Sequence, residues 1–168
     1  MSRAKLKKIS KEREYLLVAD LAHEIWREHY SPFISSDQIE YMLQKFQTAT
    51  AIKAAVAGER YDYYLIRKSL VPIGYAGVRV NHPQGKLFLS KFYILKEYRG
   101  QGFARDVIGE LSDMAKRMRL KSIWLTASKK NESSIAAYGH LGFRITDSIC
   151  TDIGNGFVMD DYVFEKEI

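Results

Sequence analysis

The chain has 168 residues, of which 46% are hydrophobic and 27% charged, with a formal net charge of +6. That is room for one domain, residues 1–168, with a core that needs neither staples nor a structural metal, and it excludes disordered, collagen-like and low-complexity classes. Cys150 is the only cysteine, so an intramolecular disulfide and a cysteine-based zinc site are excluded as well. The longest apolar runs, such as 87–89 and 92–95, fall far short of a membrane span. The basic N-terminus, MSRAKLKKIS, leads into Lys11-Glu12-Arg13-Glu14 rather than into an apolar signal core. A soluble, cytoplasmic protein is expected. The positive excess suits an anionic partner, either a phosphate-bearing small molecule or nucleic acid. Its basic residues are dispersed, with local density only over 3–11 and 116–121, so a solvated face accounts for them and nucleic acid is not the expected partner.

In chain order, residues 5–9 form a short first strand. Ser10 precedes a helical pattern with Leu17, Val18, Leu21, Ala22 and Ile25 on one side, ending near Tyr30-Ser31-Pro32. Ser35, with Gln38 three residues later, fits a capping box for a second helix through Ile39, Met42, Leu43 and Phe46. The alanine-rich stretch 49–57 continues or follows that helix, and Gly58 stops it. From Tyr61 the period changes to two: 61–68, 73–80 and 86–95 read as strands, with 70–72 and 81–85 as turns. A helix then starts near Gly100, with Ala104, Val107, Ile108, Leu111, Ala115 and Met118 in one apolar stripe. Residues 122–127 make a short strand, 131–140 a short helix, and 143–151 and 157–165 two closing strands. This order predicts an α/β (or α+β) mixed sheet with helices on both faces.

The segment carrying chemistry is Arg99-Gly100-Gln101-Gly102-Phe103-Ala104, between a strand and the amphipathic helix. Glycine allows a tight turn and a close backbone approach, and the first N–H groups of a helix lack partners at the positive end of its dipole. Such a loop suits a phosphate or pyrophosphate, although a plain strand-to-helix turn has the same composition. No Gly-Lys-Ser/Thr follows, so it is not a Walker A loop, and it lacks the third glycine of the dinucleotide fingerprint. The loop fits Arg/Gln-x-x-Gly-x-Gly/Ala, and the block FYILKEYRGQGFARDVIGEL resembles the acetyl-CoA motif of the GNAT superfamily of N-acetyltransferases. Downstream, Asn131 through Tyr138, followed by Leu141-Gly142-Phe143, is similar to the same family's N-x-x-x-x-A-x-x-Y-x-x-x-GF pattern. The tail TDIGNGFVMDDYVFEKEI and the early IWREHY further resemble the PaiA-type spermidine/spermine acetyltransferases.

The resemblance implies a single-domain GNAT fold, with a central, mostly antiparallel mixed sheet whose strands splay. It also implies acetyl-CoA as the acetyl donor, no metal, and direct transfer to a primary amine in a ternary complex. Main-chain groups of Phe92, Tyr93 and Ile94 would hold the pantetheine arm, and the Phe92 N–H would meet the thioester carbonyl. The amides of Gly100, Gln101, Gly102, Phe103 and Ala104, with Arg99 and Arg105 beside them, would take the pyrophosphate. Asn131 would bond the pantetheine or cap the following helix. Tyr138 would be the general acid, since a neutral phenol has a proton for the departing thiolate.

The sequence departs from part of the family at the base. Where several members carry a glutamate on the fourth strand, this chain has Phe88, and no carboxylate occurs between Gly85 and Leu95. A base is still needed, because an amine of pKa about 10.4 is neutral at pH 7 only about once in 2,500, a penalty of ~4.6 kcal/mol. Glu28 and Asp160 are the carboxylates singled out for that role. Asp160 and Asp161 are consecutive on a predicted strand, so only one of them can face the cleft. Trp26, His29 and Tyr30 could line an amine channel through their aromatic faces, with helix-core packing the alternative for Trp26. Cys150 is expected to be a small core residue. His23, His82 and His140 have no metal-like spacing. A polyamine is the expected acceptor; a protein N-terminus or lysine, or acetyl-CoA sensing without turnover, are the alternatives. Either a monomer or a homodimer is compatible with the chain.

Overall fold

A computed structural model describes residues 2–168. The elements in order are β1 (Ala4–Lys8), α1 (Glu12–His29), α2 (Ser36–Phe46), α3 (Ala49–Gly58), β2 (Tyr61–Lys68), β3 (Val71–Val80) and β4 (Lys86–Ile94). After a short 3-10 turn (Lys96–Tyr98) come α4 (Phe103–Arg117), β5 (Ser122–Ser128), α5 (Glu132–His140), β6 (Arg144–Gly154) and β7 (Phe157–Glu167).

Local chemistry explains the boundaries. The Glu14 carboxylate accepts from the Ser10 and Lys11 amides, closing the first turn of α1. Ser35 Oγ accepts from the Gln38 amide at 3.1 Å, opening α2. Thr48 Oγ1 does the same for Ala51 at 3.0 Å, so the alanine-rich stretch is a separate helix, α3, and not a continuation of α2. One expected turn is shorter than its composition suggests. β3 begins at Val71, leaving Ser69 (φ +56°) and the exposed Leu70 to reverse the chain. Pro72 lies inside β3, opposite Arg67, where the register slips between Ile66 and Arg67. A bulge tolerates the absence of the N–H that proline lacks.

The strands form one seven-stranded sheet in the order β1-β2-β3-β4-β5-β7-β6, antiparallel throughout except for the parallel pair β4–β5. Helices α1–α3 cover one face, around buried Trp26, Leu43, Ile52, Leu65 and Tyr75. On the other face, α4 presents the stripe Val107, Ile108, Leu111 and Ala115 to Ile66, Ile73, Leu87 and Ile123, and α5 packs beside it through Ile135 and Tyr138. Burying each of the larger side chains contributes about 1.5–3 kcal/mol. Helix α4 also covers an open sheet edge: Asp106 accepts from the Ala4 amide and Glu110 from the Leu6 amide, answering donors that β1 would otherwise leave free. At the opposite edge, β6 is solvent-exposed along most of its length. Cys150 therefore lies exposed on an outermost strand, which corrects the expectation of a core residue.

Candidate functional site

The site originates in a sheet that opens. The parallel pairing of β4 with β5 joins only Lys86–Phe88 to Ser122–Trp124, and beyond it the strands separate. A register slip in β4 between Lys91 and Leu89 marks the point of departure. The backbone past it can be oriented by alternation. Leu95 N–H donates to Ile73 O of β3, and in an antiparallel pair successive residues point their groups to opposite edges. Ile94 and Phe92 therefore turn their N–H and C=O toward the gap. The Ile94 carbonyl indeed accepts from Arg99 Nε at 2.8 Å rather than from β3.

On the α4/α5 face the gap opens into a cavity of about 560 Å³, lined by Phe92, Tyr93 and Ile94, by Gly100, Gly102, Ala104 and Arg105, and by Tyr138 and Leu141. Gly100 (φ +73°) and Gly102 (φ +87°) hold the turn in the left-handed region, and a Cβ on either would meet nothing within 4 Å. Backbone conformation, not crowding, thus selects glycine there. The amides of Phe103, Ala104 and Arg105 have no hydrogen-bond partner among the described residues, leaving the positive end of α4 open. The Phe103 side chain itself is buried in the core, while Arg105 is exposed and outside any ion pair among the described residues.

On the α1/α2 face lies a second, smaller cavity of about 160 Å³, lined by Trp26, Tyr30, Phe46, Lys91, Tyr93, Met159 and Asp161. Between the two runs a constriction of about 60 Å³, which shares Phe92 and Tyr138 with the first cavity and Tyr30, Ser90, Tyr93 and Thr126 with the second. The two cavities thus face each other through the opened sheet.

The α1 end of this passage is built from aromatic rings and one neutral histidine. Tyr30 and Tyr93 hydroxyls bond at 2.7 Å, and burial pushes Tyr30 up to about 12. His29 is pushed down to about 4 by burial and by the nearby Arg99 guanidinium, so it is neutral at pH 7. Its Nε2 then accepts from Asn131 Nδ2 at 3.2 Å. Asn131, 3% exposed, spends its other side-chain group on Ser133 Oγ and the Ser134 amide, so it is observed as the cap of α5. Arg99 is held by both oxygens of Glu28, at 2.9 and 2.7 Å, and this pairing keeps the Glu28 carboxyl below its usual range. Glu28 is consequently a clamp between α1 and the end of β4 and not a free base. Gln101 reaches back to the Glu97 carbonyl. Tyr138, on α5, rests its ring against Phe143 and Phe164, at centroid distances of 5.7 and 5.4 Å. Burial raises its phenol well above the ordinary value.

At the tail, the structure corrects the choice of carboxylate. Asp160 is exposed and paired with Lys129 at 2.9 Å. Asp161 is the inward one: it pairs in register with Ser128, is 8% exposed, and its Oδ1 has no hydrogen-bond partner among the described residues. Burial, reinforced by the neighbouring Asp160 charge, pushes it up to about 6.

A profile of the acetyltransferase (GNAT) family matches residues 18–143 of this chain. The chain belongs to the GNAT acetyltransferase family. It is similar, at 29% identity over 68 residues, to the uncharacterized N-acetyltransferase YycN of Bacillus subtilis. That match takes in 40% of this chain and spans less than half of the relative, 44% of its length. Among solved structures it resembles the PaiA N-acetyltransferase from Thermoplasma acidophilum in complex with coenzyme A, with TM-score 0.82 and 18% identity over the whole of both chains. It also resembles a spermidine N-acetyltransferase SpeG chimera from Vibrio cholerae and hSSAT, with TM-score 0.68 and 18% identity over 99% of this chain and 96% of that one. At these identities the two structures establish the fold, including the splayed GNAT sheet, and no more. Among the described residues there is no group of three or more His, Cys, Asp or Glu side chains placed to hold a metal, and no helix is long and apolar enough to cross a membrane.

Sequence reasoning missed Lys91, Ser90, Thr126 and Ser128 as lining residues, and it preferred Asp160 to Asp161. The signal for the last was available: Asp161 lies an odd number of residues from the core anchor Phe164, so the two face opposite sides of β7.

Proposed function

We infer that the protein moves an acetyl group from acetyl-CoA to a primary amine by direct attack in a ternary complex, and that a polyamine of the spermidine class is the leading acceptor. The observation carrying this reading is the pair of cavities meeting through the opened sheet, because a donor on one face and an amine on the other would converge at the constriction beside Phe92 and Tyr138. Holding two reactants in that way converts a bimolecular step into an effectively unimolecular one.

The chain's own groups have assignable work. The free edge at Phe92, Tyr93 and Ile94 pairs with the amide-bearing arm of the donor as an added strand would, and the Phe92 N–H aims at the oxygen on which charge develops. The loop Gly100–Ala104 and the open amides of α4 take the pyrophosphate, with Arg105 free to join them. Tyr138 supplies the proton that the leaving thiolate needs, since its phenol is neutral at pH 7 and burial holds it in that form. Trp26, Tyr30 and Tyr93 wall the acceptor cavity with aromatic faces that suit an ammonium group. Support for a polyamine comes from the resemblance of the C-terminal segment to PaiA-type enzymes and from likeness to structures whose names carry PaiA and spermidine.

The test is release of free thiol from acetyl-CoA across spermine, spermidine, diamines, simple monoamines, aminoglycosides and a peptide panel. Saturable turnover with polyamines above all others supports the full reading. Turnover with peptides alone keeps the transfer chemistry and discards the polyamine. Binding of acetyl-CoA without turnover for any amine points to a sensing protein.

A further inference from the structure

We propose that Asp161 is the proton acceptor for the incoming amine, a reading that rests on the acetyl-transfer function above and supplies the base that β4 lacks. Two features of the structure converge on this carboxylate. It lines the acceptor-side cavity together with Tyr30, Ser90, Tyr93, Thr126 and Ser128, five residues that also line the constriction leading to Tyr138. It is more than nine-tenths buried, yet Oδ1 has no partner among the described residues, so a buried acceptor stands unanswered beside an aromatic-walled space. Leaving such a group unsatisfied is destabilising, and an entering ammonium answers it.

The charged and titratable groups around it do not pre-empt the role. From α1 it faces Tyr30, and from β4 Tyr93 and Lys91; α2 contributes only Met42 and Phe46, and β6 contributes Ile153. Asp160 beside it is occupied by Lys129, and no cation lies within ion-pair distance of Asp161 among the described residues. Its elevated pKa of about 6 places it above ordinary carboxylates in basicity while leaving it ionised at neutral pH.

The step balances as follows. The Asp161 carboxylate removes one proton from the bound ammonium, and the freed lone pair forms the nitrogen–carbon bond at the thioester carbonyl. As the carbon–sulfur bond breaks, the Tyr138 hydroxyl proton passes to sulfur, and the resulting phenolate takes the second proton from nitrogen. Asp161 then returns its proton to solvent. The products are an amide, a free thiol and one proton.

The test is the pH dependence of kcat/KM for wild type, Asp161→Asn and Asp161→Glu. With Asp161 as base, wild type levels off above about pH 6 and, apart from a bounded rise near pH 8 where Lys91 loses its charge, stays level to the amine's own pKa. Asp161→Asn must instead await free amine. For an amine of pKa near 10.4, its rate rises about tenfold per pH unit, so its deficit is about 10³-fold at pH 7 and about tenfold at pH 9.5. Asp161→Glu restores part of the plateau. If wild type turns over amines and the Asn variant keeps both the plateau and kcat, with only KM raised, Asp161 is a counter-ion and the proposal is overturned. If the Asn variant does not fold, the wild-type profile decides alone, since a rate that rises tenfold per unit from pH 5 upward, without a plateau, overturns it. Absence of turnover by wild type with any amine overturns the parent reading and this one together.

Discussion

Tyr138→Phe separates chemistry from folding more cleanly than any other substitution at this site. The phenol makes no hydrogen bond among the described residues, and the ring's contacts with Phe143 and Phe164 survive in phenylalanine. Removing an unpartnered, partly buried hydroxyl costs the fold nothing and can relieve its desolvation. The melting temperature is therefore expected to stay within about 2 °C of wild type, where 1 kcal/mol corresponds to roughly 2–4 °C at this chain length. Turnover is different. A positioned proton donor contributes about 10²–10⁴-fold, equivalent to ~2.7–5.5 kcal/mol of barrier, so kcat should fall by at least about a hundredfold. The KM values for both substrates should move little, since the hydroxyl acts on the departing sulfur. Steady-state thiol release and a thermal melt on the same preparation suffice. A kcat within threefold of wild type would refute Tyr138 as the donor. A fall in kcat accompanied by a loss of many degrees in melting temperature would refute the packing argument instead.

Three further outcomes follow from the geometry. Gly102→Ala places a Cβ at φ +87°, where it meets nothing within 4 Å, so about 1–2 kcal/mol of backbone strain falls on the turn that presents the α4 amides. Melting temperature should drop by a few degrees and KM for acetyl-CoA should rise at least about tenfold, and an unchanged KM would sever the loop from donor binding. Lys91, pushed down to about 8 by burial and hydrogen-bonded only to Ser90, brings a cation to the acceptor cavity with no carboxylate paired to it. For a separation on the order of 10 Å and an effective dielectric of ~20, it would oppose each ammonium by ~1.7 kcal/mol. Spermidine carries two more ammonium groups than a monoamine, so Lys91→Met should raise kcat/KM for spermidine relative to a monoamine by at least about tenfold and up to about 300-fold, and an unchanged ratio would remove Lys91 from specificity. Tyr30, Tyr63, Tyr75, Tyr93 and Tyr138 all have phenols raised above the ordinary value by burial. Their folded pKa values exceed the unfolded ones, so their contribution is complete below about pH 10 and is lost as pH rises beyond it. Stability should then fall by up to ~1.4 kcal/mol per pH unit for each of them, and denaturant titrations showing a flat profile between pH 9.5 and 11 would contradict that burial.

Much of the fold was legible because it is written in local chemistry. Ser35 and Gln38 announce α2, the stripe from Ala104 to Ala115 announces α4, and the switch from a period of 3.6 to one of two at Tyr61 announces the sheet. The glycine loop and the Asn131–Tyr138 segment announce the donor side, since those chemistries need particular residue types at fixed spacing. Other features are tertiary and leave no local trace. Insertion of β7 between β5 and β6 is a matter of pairing. Arg99 was expected at the pyrophosphate because of its neighbours in sequence, but a carboxylate 71 residues away, Glu28, holds it in a two-pronged ion pair.

The acceptor side was the least legible part, and the reason is physical. Asp160 and Asp161 differ only in parity along β7, so their roles depend on which face of the sheet receives the amine. Parity relative to Phe164 assigns Asp160 to the α4/α5 face and Asp161 to the opposite one. Residues 144–168, which carry both aspartates, lie beyond the part of the chain that matches the family profile. The proposed donor half rests on backbone amides and on Gly100 and Gly102, whose positive φ values disfavour other residues. The proposed acceptor half is lined by side chains from α1, α2, β4, β5, β6 and β7, of which only those of β6 and β7 lie beyond the matched part. A base carried on β7 needs no carboxylate on β4, and Phe88 can then stack on Trp124 at 4.0 Å, where the two strands are still paired. The aromatic pair closes the joined end of the sheet, and the carboxylate serves the end that opens.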